Sequence, residues 1–269
     1  MSTTSQMGRG PVAEALSLWQ NARAMRRWLL LLLILLAFGL RVYHLDHFGF
    51  WQDEGLTPLR SGYSLSQILS NQIILQEAVT QDTHPPFYYI VIHLTRGLFG
   101  RSDFAFRYPS VLSAILLVPI LYQFGRRLAQ SRRTAVQVGL LAALLAAVNP
   151  LQVWYAQEAR MYSLAVLLSA LATYALWRAL SAERPQRWIV VYALFAGLAF
   201  TTHYTAGILV AAQVPFWLWL LWQRGQRRLI LIGLGLGLLL LIPFIPFTVP
   251  RLFTGAETNY SYVSPLIML

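Results

Sequence analysis

Asp53 and Glu54 stand side by side in FGFWQDEGL, residues 48–56, directly after the first long apolar run. Charged side chains at a membrane edge are costly and mark functional sites. A carboxylate set among Phe50 and Trp51 is partly desolvated, which raises its proton affinity and suits it to general-base work; metal ligation is the other use of such a pair. Further candidates lie in short polar stretches. DTHPPFYY (82–89) brings His84 and Tyr88 to meet a phosphate or a sugar, with two prolines that fix the start of a helix. FRYPS (106–110) brings Arg107, as an anchor for a lipid phosphate or a partner for one of the acids, beside the plainer role of an interface arginine. WYAQEARMYSL (154–164) packs Glu158, Arg160 and Tyr162 between two apolar blocks, and TTHYT (201–205) adds His203 and Tyr204, a pair equally at home in an aromatic belt. The acids and histidines are able to ligate a divalent cation, although no HExxH-like spacing specifies one.

The elements that carry these residues are apolar. The 269 residues are 57% hydrophobic and 12% charged, with a mean hydropathy of +0.53; a soluble domain has about 25% charged residues. Apolar blocks fall at 28–44, 85–99, 108–125, 135–153, 162–180, 188–204, 206–222 and 229–249. Crossing a bilayer takes roughly 20 apolar residues. The block 85–99 is short, opens on two prolines and holds His93 and Arg96. If it crossed, Arg126, Arg127, Arg132 and Arg133, and Arg224, Arg227 and Arg228, would lie outside. If it lies along the surface as an amphipathic helix, those clusters fall inside with Arg23, Arg26, Arg27, Arg184 and Arg187, as the positive-inside rule asks.

The expected fold is therefore all-α: a polytopic membrane bundle of about seven transmembrane helices, with juxtamembrane helices in a long first outer loop. The tail 1–27 is expected in the cytoplasm, disordered at MSTTSQMGRGP; the membrane module is 28–250, its first outer loop 45–107, and 251–269 is an outer segment. In this topology Asp46, Asp53, Glu54, Glu77, Asp82, Asp103, Glu158 and Glu257, eight of the ten acids, share the outer face.

The same facts exclude other classes. The net charge of +11 comes from arginines clustered between apolar blocks, with no lysine, which fits membrane insertion rather than nucleic-acid binding. With no cysteine there is no disulfide, thiolate metal site or cysteine nucleophile. No small-residue cleavage site follows the first apolar run, so it reads as a retained helix. GLGLGLLLL (233–241) has no strand before it and is a packing feature.

In order along the chain, WQDE, HPPFYY, FGRSDFAFRYPS and QEARMYSL resemble the polyprenyl- or dolichyl-phosphate-sugar glycosyltransferases of the GT-C superfamily, in particular the protein O-mannosyltransferase and lipid A aminoarabinose transferase group. The likeness runs over about 28–250. It implies transfer of a sugar from a polyprenyl-phosphate donor to an acceptor hydroxyl on a protein, lipid or glycan at the outer face of the cytoplasmic membrane. Asp53 matches the family's catalytic base and Glu54 its neighbour, which orients substrate or ligates metal. Glu158 matches a second acid, and His84, Arg107 and Arg160 would stabilise the phosphate leaving group; use of a divalent metal differs among relatives. Two departures stand out. Aminoarabinose transferases carry a lysine after the surface-loop motif and this chain has none, so that activity is not expected. Family members are usually much longer, so the chain reads as an N-terminal fragment. The competing readings are a transporter or flippase for a lipid or small anion, which the lack of mid-span acids disfavours, and an inactive membrane subunit of a split enzyme.

Overall fold

The structure, a computed structural model, describes residues 11–75, 78–82, 84–183 and 185–242. The terminal segments 1–10 and 251–269, Glu77, Glu257 and the second part of the block 229–249 lie outside the described residues. Long helices fall on the expected apolar blocks: α1 (Pro11–Val42), α5 (Asp103–Leu128), α6 (Arg132–Val148), α8 (Tyr162–Ser181), α9 (Gln186–Thr202), α10 (Ala206–Gln223) and α11 (Arg227–Leu241). Between α1 and α5 come α2 (Gln52–Ser61), α3 (Leu65–Leu69), the antiparallel strands β1 (Gln72–Leu75) and β2 (Ala78–Gln81), and α4 (Phe87–Phe99); α7 (Pro150–Ala156) follows α6.

By length and composition, α5, α8 and α10 are able to cross a membrane, and α6 with α7, bent by 54°, makes a fourth span. The described helices thus supply three or four spans on this measure against the seven expected. For α9 the physical reason is length: its 17 residues make roughly 26 Å at 1.5 Å per residue against a core of about 30 Å, while the apolar block that holds α11 runs past the described residues. In α1, Arg26, Arg27 and Arg41 bracket the leucine-rich stretch. Helix α4, at 13 residues, is shorter still and lies among the short elements.

Local sequence sets the boundaries. Pro86 opens α4, and Gly100, at φ 89°, closes it in a conformation only glycine takes easily. Ser102, Ser131 and Asn149 cap α5, α6 and α7 through their side-chain oxygens. Pro150 opens α7 and breaks the helix. Helices α5 and α6 cross at Gly125 and Gly139, where a Cβ on Gly139 would lie 2.8 Å from the Tyr122 carbonyl oxygen.

Two cores organise the membrane part. Ala37, Val118, Tyr122, Ala143, Ala146 and Ala147 join α1, α5 and α6. Ala172, Leu176, Ile189, Tyr192, Trp217, Leu221 and Leu229 join α8 to α11. A third core, Ile68, Tyr88, Tyr89, Ile92, Phe106, Ala159 and Met161, sits under the α1–α5 connection. Because the long helices alternate in direction, the turns with Arg126 and Arg127, Arg178 and Arg187, and Arg224, Arg227 and Arg228 fall at one end. The α1–α5 connection, the 157–161 turn and His203 fall at the other.

Candidate active site

Trp51 is the extended N-cap of α2, so Asp53 and Glu54 occupy its first turn, where the helix dipole favours acids. Neighbours on a helix point about 100° apart, and the two carboxylates part company. Glu54 turns inward and is 2% exposed. It accepts from Arg107 Nε at 2.9 Å, from Arg107 Nη2 at 2.8 Å and from the Ala159 backbone N–H at 2.6 Å. Asp53 stays half-buried. Among the described residues its carboxylate makes no hydrogen bond or ion pair; its backbone carbonyl accepts from Arg160 Nη1 at 3.0 Å.

Arg107 spends all five donors: two on Glu54, two on the Leu45 and Phe48 carbonyls at 2.7 and 2.9 Å, and one on the Gly49 carbonyl at 3.2 Å. It has none left for a phosphate. Of the two expectations for Arg107, partner of an acid is the one the geometry fits, and Glu54 is correspondingly closed to substrate or metal. Tyr88 is fully buried as well, its hydroxyl 3.2 Å from Ser110 Oγ, and it meets no open surface. For Glu54 and Tyr88, and for the choice between the two roles of Arg107, sequence spacing does not reveal which long-range partners consume a polar group.

The 157–161 turn is held from several sides. Thr57 Oγ1 donates to the Ala159 carbonyl at 2.6 Å, and Ser110 Oγ to the Arg160 carbonyl at 2.9 Å. So anchored, Arg160 lies 1% exposed. Its Nη2 is 3.4 Å from His84 Nε2, and its Nε is buried without a partner. Arginine only donates, so His84 Nε2 is the acceptor and Nδ1 carries a proton toward Asp82 Oδ1, 3.1 Å away. Tyr162 and His203 complete the group: the rings of His84 and His203 are 5.8 Å apart, and those of Tyr162 and His203 5.5 Å. His203 Nδ1 accepts from the Thr205 N–H at 3.2 Å, which leaves its proton on Nε2. Burial lowers the His203 pKa, and the charges near His84 and Arg160 add to the shift.

Glu158 takes a hydrogen bond from Trp154 Nε1 at 2.8 Å on Oε1, while Oε2 is buried without a partner. Burial raises its pKa against the Trp154 bond, and the Glu54 and Asp53 charges add to the rise. Asp53, His84, Glu158, Arg160, Tyr162 and His203 are thus brought together at one end of the bundle. Among the described residues no three acids or histidines gather to hold a metal ion; Asp53 and Glu158 Oε2 hold the carboxylate oxygens without a partner among them.

Sequence reasoning missed the network behind His84. Asp82, 3% exposed, pairs with Arg60 and accepts from the Tyr89 hydroxyl at 3.0 Å; Arg60 also donates to Asn71 Oδ1 at 2.6 Å and stacks on the Tyr89 ring at 3.8 Å. Burial pushes the Asp82 carboxyl up, but the His84 hydrogen bond and the Arg60 charge outweigh it and hold it well below the usual carboxylate range. The signal was an acid two residues before a histidine in DTHPP. Two clefts, of about 670 and 470 Å³, open at the arginine end instead, lined by Arg178 and Arg187 and by Gln226 and Arg228, and hold none of these residues.

Residues 83–249 match the family profile of dolichyl-phosphate-mannose-protein mannosyltransferases. No curated protein matches the chain. Among solved structures, the S. cerevisiae protein O-mannosyltransferase Pmt1-Pmt2 complex bound to the sugar donor is similar, with a TM-score of 0.63 at 16% identity over 83% of this chain. At that identity the likeness is one of fold. The chain spans about a third (34%) of the length of that solved chain.

Proposed function

The chain belongs to the dolichyl-phosphate-mannose-protein mannosyltransferase family, and from that premise we propose that it serves a membrane glycosyltransferase of GT-C type. It moves a sugar, mannose in the first instance, from a polyprenyl-phosphate donor to an acceptor hydroxyl, with Asp53 as the general base. One observation carries this reading: among the described residues, Asp53 is the acid of the site whose carboxylate makes no hydrogen bond or ion pair, beside Arg160, whose Nε has no partner.

In the proposed step, Asp53 takes the acceptor's hydroxyl proton and the oxygen attacks the anomeric carbon. The bond from that carbon to the phosphate oxygen breaks, and the lipid phosphate leaves as an anion. Arg160 and the Nε2–H of His203 meet its developing charge, a role in which fixed donors count most. His84, held by Asp82, orients Arg160 rather than donating itself. Tyr162 lines the floor between Arg160 and His203. Glu158 Oε2 accepts from a sugar hydroxyl; were a divalent cation bound, Asp53 and Glu158 would be the carboxylates to hold it, and it would supply positive charge for the leaving phosphate.

The site end faces outward across the cytoplasmic membrane in this reading, with about seven spans and the N-terminus in the cytoplasm, because the arginine-bearing turns then face the cytoplasm. Nucleotide sugars are cytoplasmic, so an outward site needs a lipid-carried donor; the acceptor is a protein, lipid or glycan.

The test is purified protein in liposomes with labelled mannose on polyprenyl phosphate or, separately, on a nucleotide. Transfer from the lipid donor alone is expected. Label that crosses the bilayer still attached to its lipid would favour a flippase, and no transfer from any lipid donor would refute the enzyme.

A further inference from the structure

The break between α6 and α7 bears on the site just proposed, and its catalytic meaning rests on that reading. Pro150 has no N–H, so the Ala146 carbonyl, four residues back, has no helical donor. Just past the break, the Gln152 N–H turns to Asn149 Oδ1 at 3.0 Å rather than to the Val148 carbonyl four residues back. Orphaned carbonyls inside a membrane protein need a partner. Arg41, 0% exposed, supplies it from α1, with Nη2 2.8 Å from the Ala146 oxygen and Nη1 2.8 Å from the Ala147 oxygen. No acid pairs with this buried arginine among the described residues; the C-terminal end of α6, negative by its dipole, holds it. Ala37, Ala143, Ala146 and Ala147 are small enough to let α1 come that close.

The contact is returned. About two turns beyond the break, Gln157 Nε2 donates to the Tyr43 and Leu40 carbonyls at the end of α1, at 2.9 and 3.3 Å. The end of α1 caps α6, and the residue after α7 caps α1. Between these two caps the chain is fixed, and the next residues are Glu158 and Arg160.

We propose that Arg41 and Gln157 are positioning residues: a reciprocal clamp between α1 and the bent α6–α7 pair that sets Glu158 and Arg160 against Asp53. The clamp touches no substrate. Its loss costs turnover rather than donor binding, since misplacing a catalytic group by about 1 Å can cost ~10²-fold in rate.

The full chain is free of cysteine, so spin labels on cysteines at the exposed positions Gln137 and Leu151 report the bend directly. A straight helix would put them roughly 21 Å apart along its axis at 1.5 Å per residue. The bent parent is expected to give one narrow, shorter distance. Arg41→Leu is expected to broaden or lengthen it and to lower kcat on polyprenyl-phosphate mannose by ~10²-fold, with KM within about threefold. Arg41→Lys, which keeps donors at the site, is expected to recover part of the rate. Gln157→Ala, a milder change, decides the matter if Arg41→Leu does not fold: it is expected to lower kcat with KM unmoved. A narrow, unshifted distance in Arg41→Leu overturns the clamp, and a moved distance with unchanged kcat overturns its role in positioning. Should the parent show no transfer, the proposed function fails, while the distances still test the clamp.

Discussion

Glu54→Gln removes one charge and almost no volume. In the parent, Glu54 and Arg107 are 2% and 4% exposed and share two hydrogen bonds of 2.9 and 2.8 Å. A glutamine keeps one acceptor oxygen, but its amide nitrogen faces a guanidinium donor, and Arg107 is left as a buried cation with only carbonyls around it. Breaking a buried pair from one side costs about 3–5 kcal/mol. At about 2–4 °C per kcal/mol for a chain of this size, the midpoint should fall by roughly 6–20 °C. Thermal unfolding of the purified protein in detergent, followed by tryptophan fluorescence, reads this directly. Asp53→Asn is the control: its carboxylate has no partner among the described residues, so stability should change by less than about 0.5 kcal/mol. Adding Arg107→Met to Glu54→Gln should recover part of the loss, with a coupling of about 0.5–3 kcal/mol. If Glu54→Gln unfolds at the parent temperature yet loses transfer, Glu54 is a chemical group and the division of labour between the two acids is wrong.

Other consequences come from the same contacts. Gly139→Ala puts a methyl 2.8 Å from the Tyr122 carbonyl oxygen at the α5–α6 crossing; it should cost about 1–3 kcal/mol, read as a lower midpoint in the same assay. Glu158 has a raised pKa, so above pH 4.5 the native protein binds its proton more tightly than the unfolded chain, and stability falls as pH rises. Glu158→Gln keeps an acceptor for Trp154 and should therefore gain in midpoint over the parent from pH 4.5 upward, and not below. Asp82 is shifted the other way: its contribution is present above pH 3.8 and is lost as pH falls through the lower native value. Asp82→Asn should lower the midpoint at pH 7, and its deficit should shrink on acidification below pH 3.8.

The helices were legible because long apolar blocks and their breakers are local signals. Pro85, Pro86 and Gly100 bound α4, and Arg126, Arg127 and Arg224 mark the ends of spans. Charge asymmetry between turns was enough to send His84, Glu158, Arg160 and His203 to the same end. What the sequence hid was pairing across distance. Arg107 and Glu54 are 53 residues apart and Arg41 and Ala147 are 106 apart, and nothing in either neighbourhood names its partner. Arg60 in a short polar helix and Asp82 before a proline pair carry no local mark of burial, because burial is set by the fold around them and not by their neighbours in sequence. Length and composition alone do not settle the span count, because a bundle packed on its own small residues accepts helices such as α9 that are shorter than a lone membrane span.

The central claim is that Asp53 acts on the acceptor while the groups around it hold the donor. Turnover and donor binding measured together in Asp53→Asn test it most directly. Removal of a general base costs about 10²–10⁴-fold. The expected result is a fall in transfer from polyprenyl-phosphate mannose of that size, with donor affinity and thermal midpoint near those of the parent. Transfer at the parent rate in a folded, donor-binding Asp53→Asn protein would contradict the account.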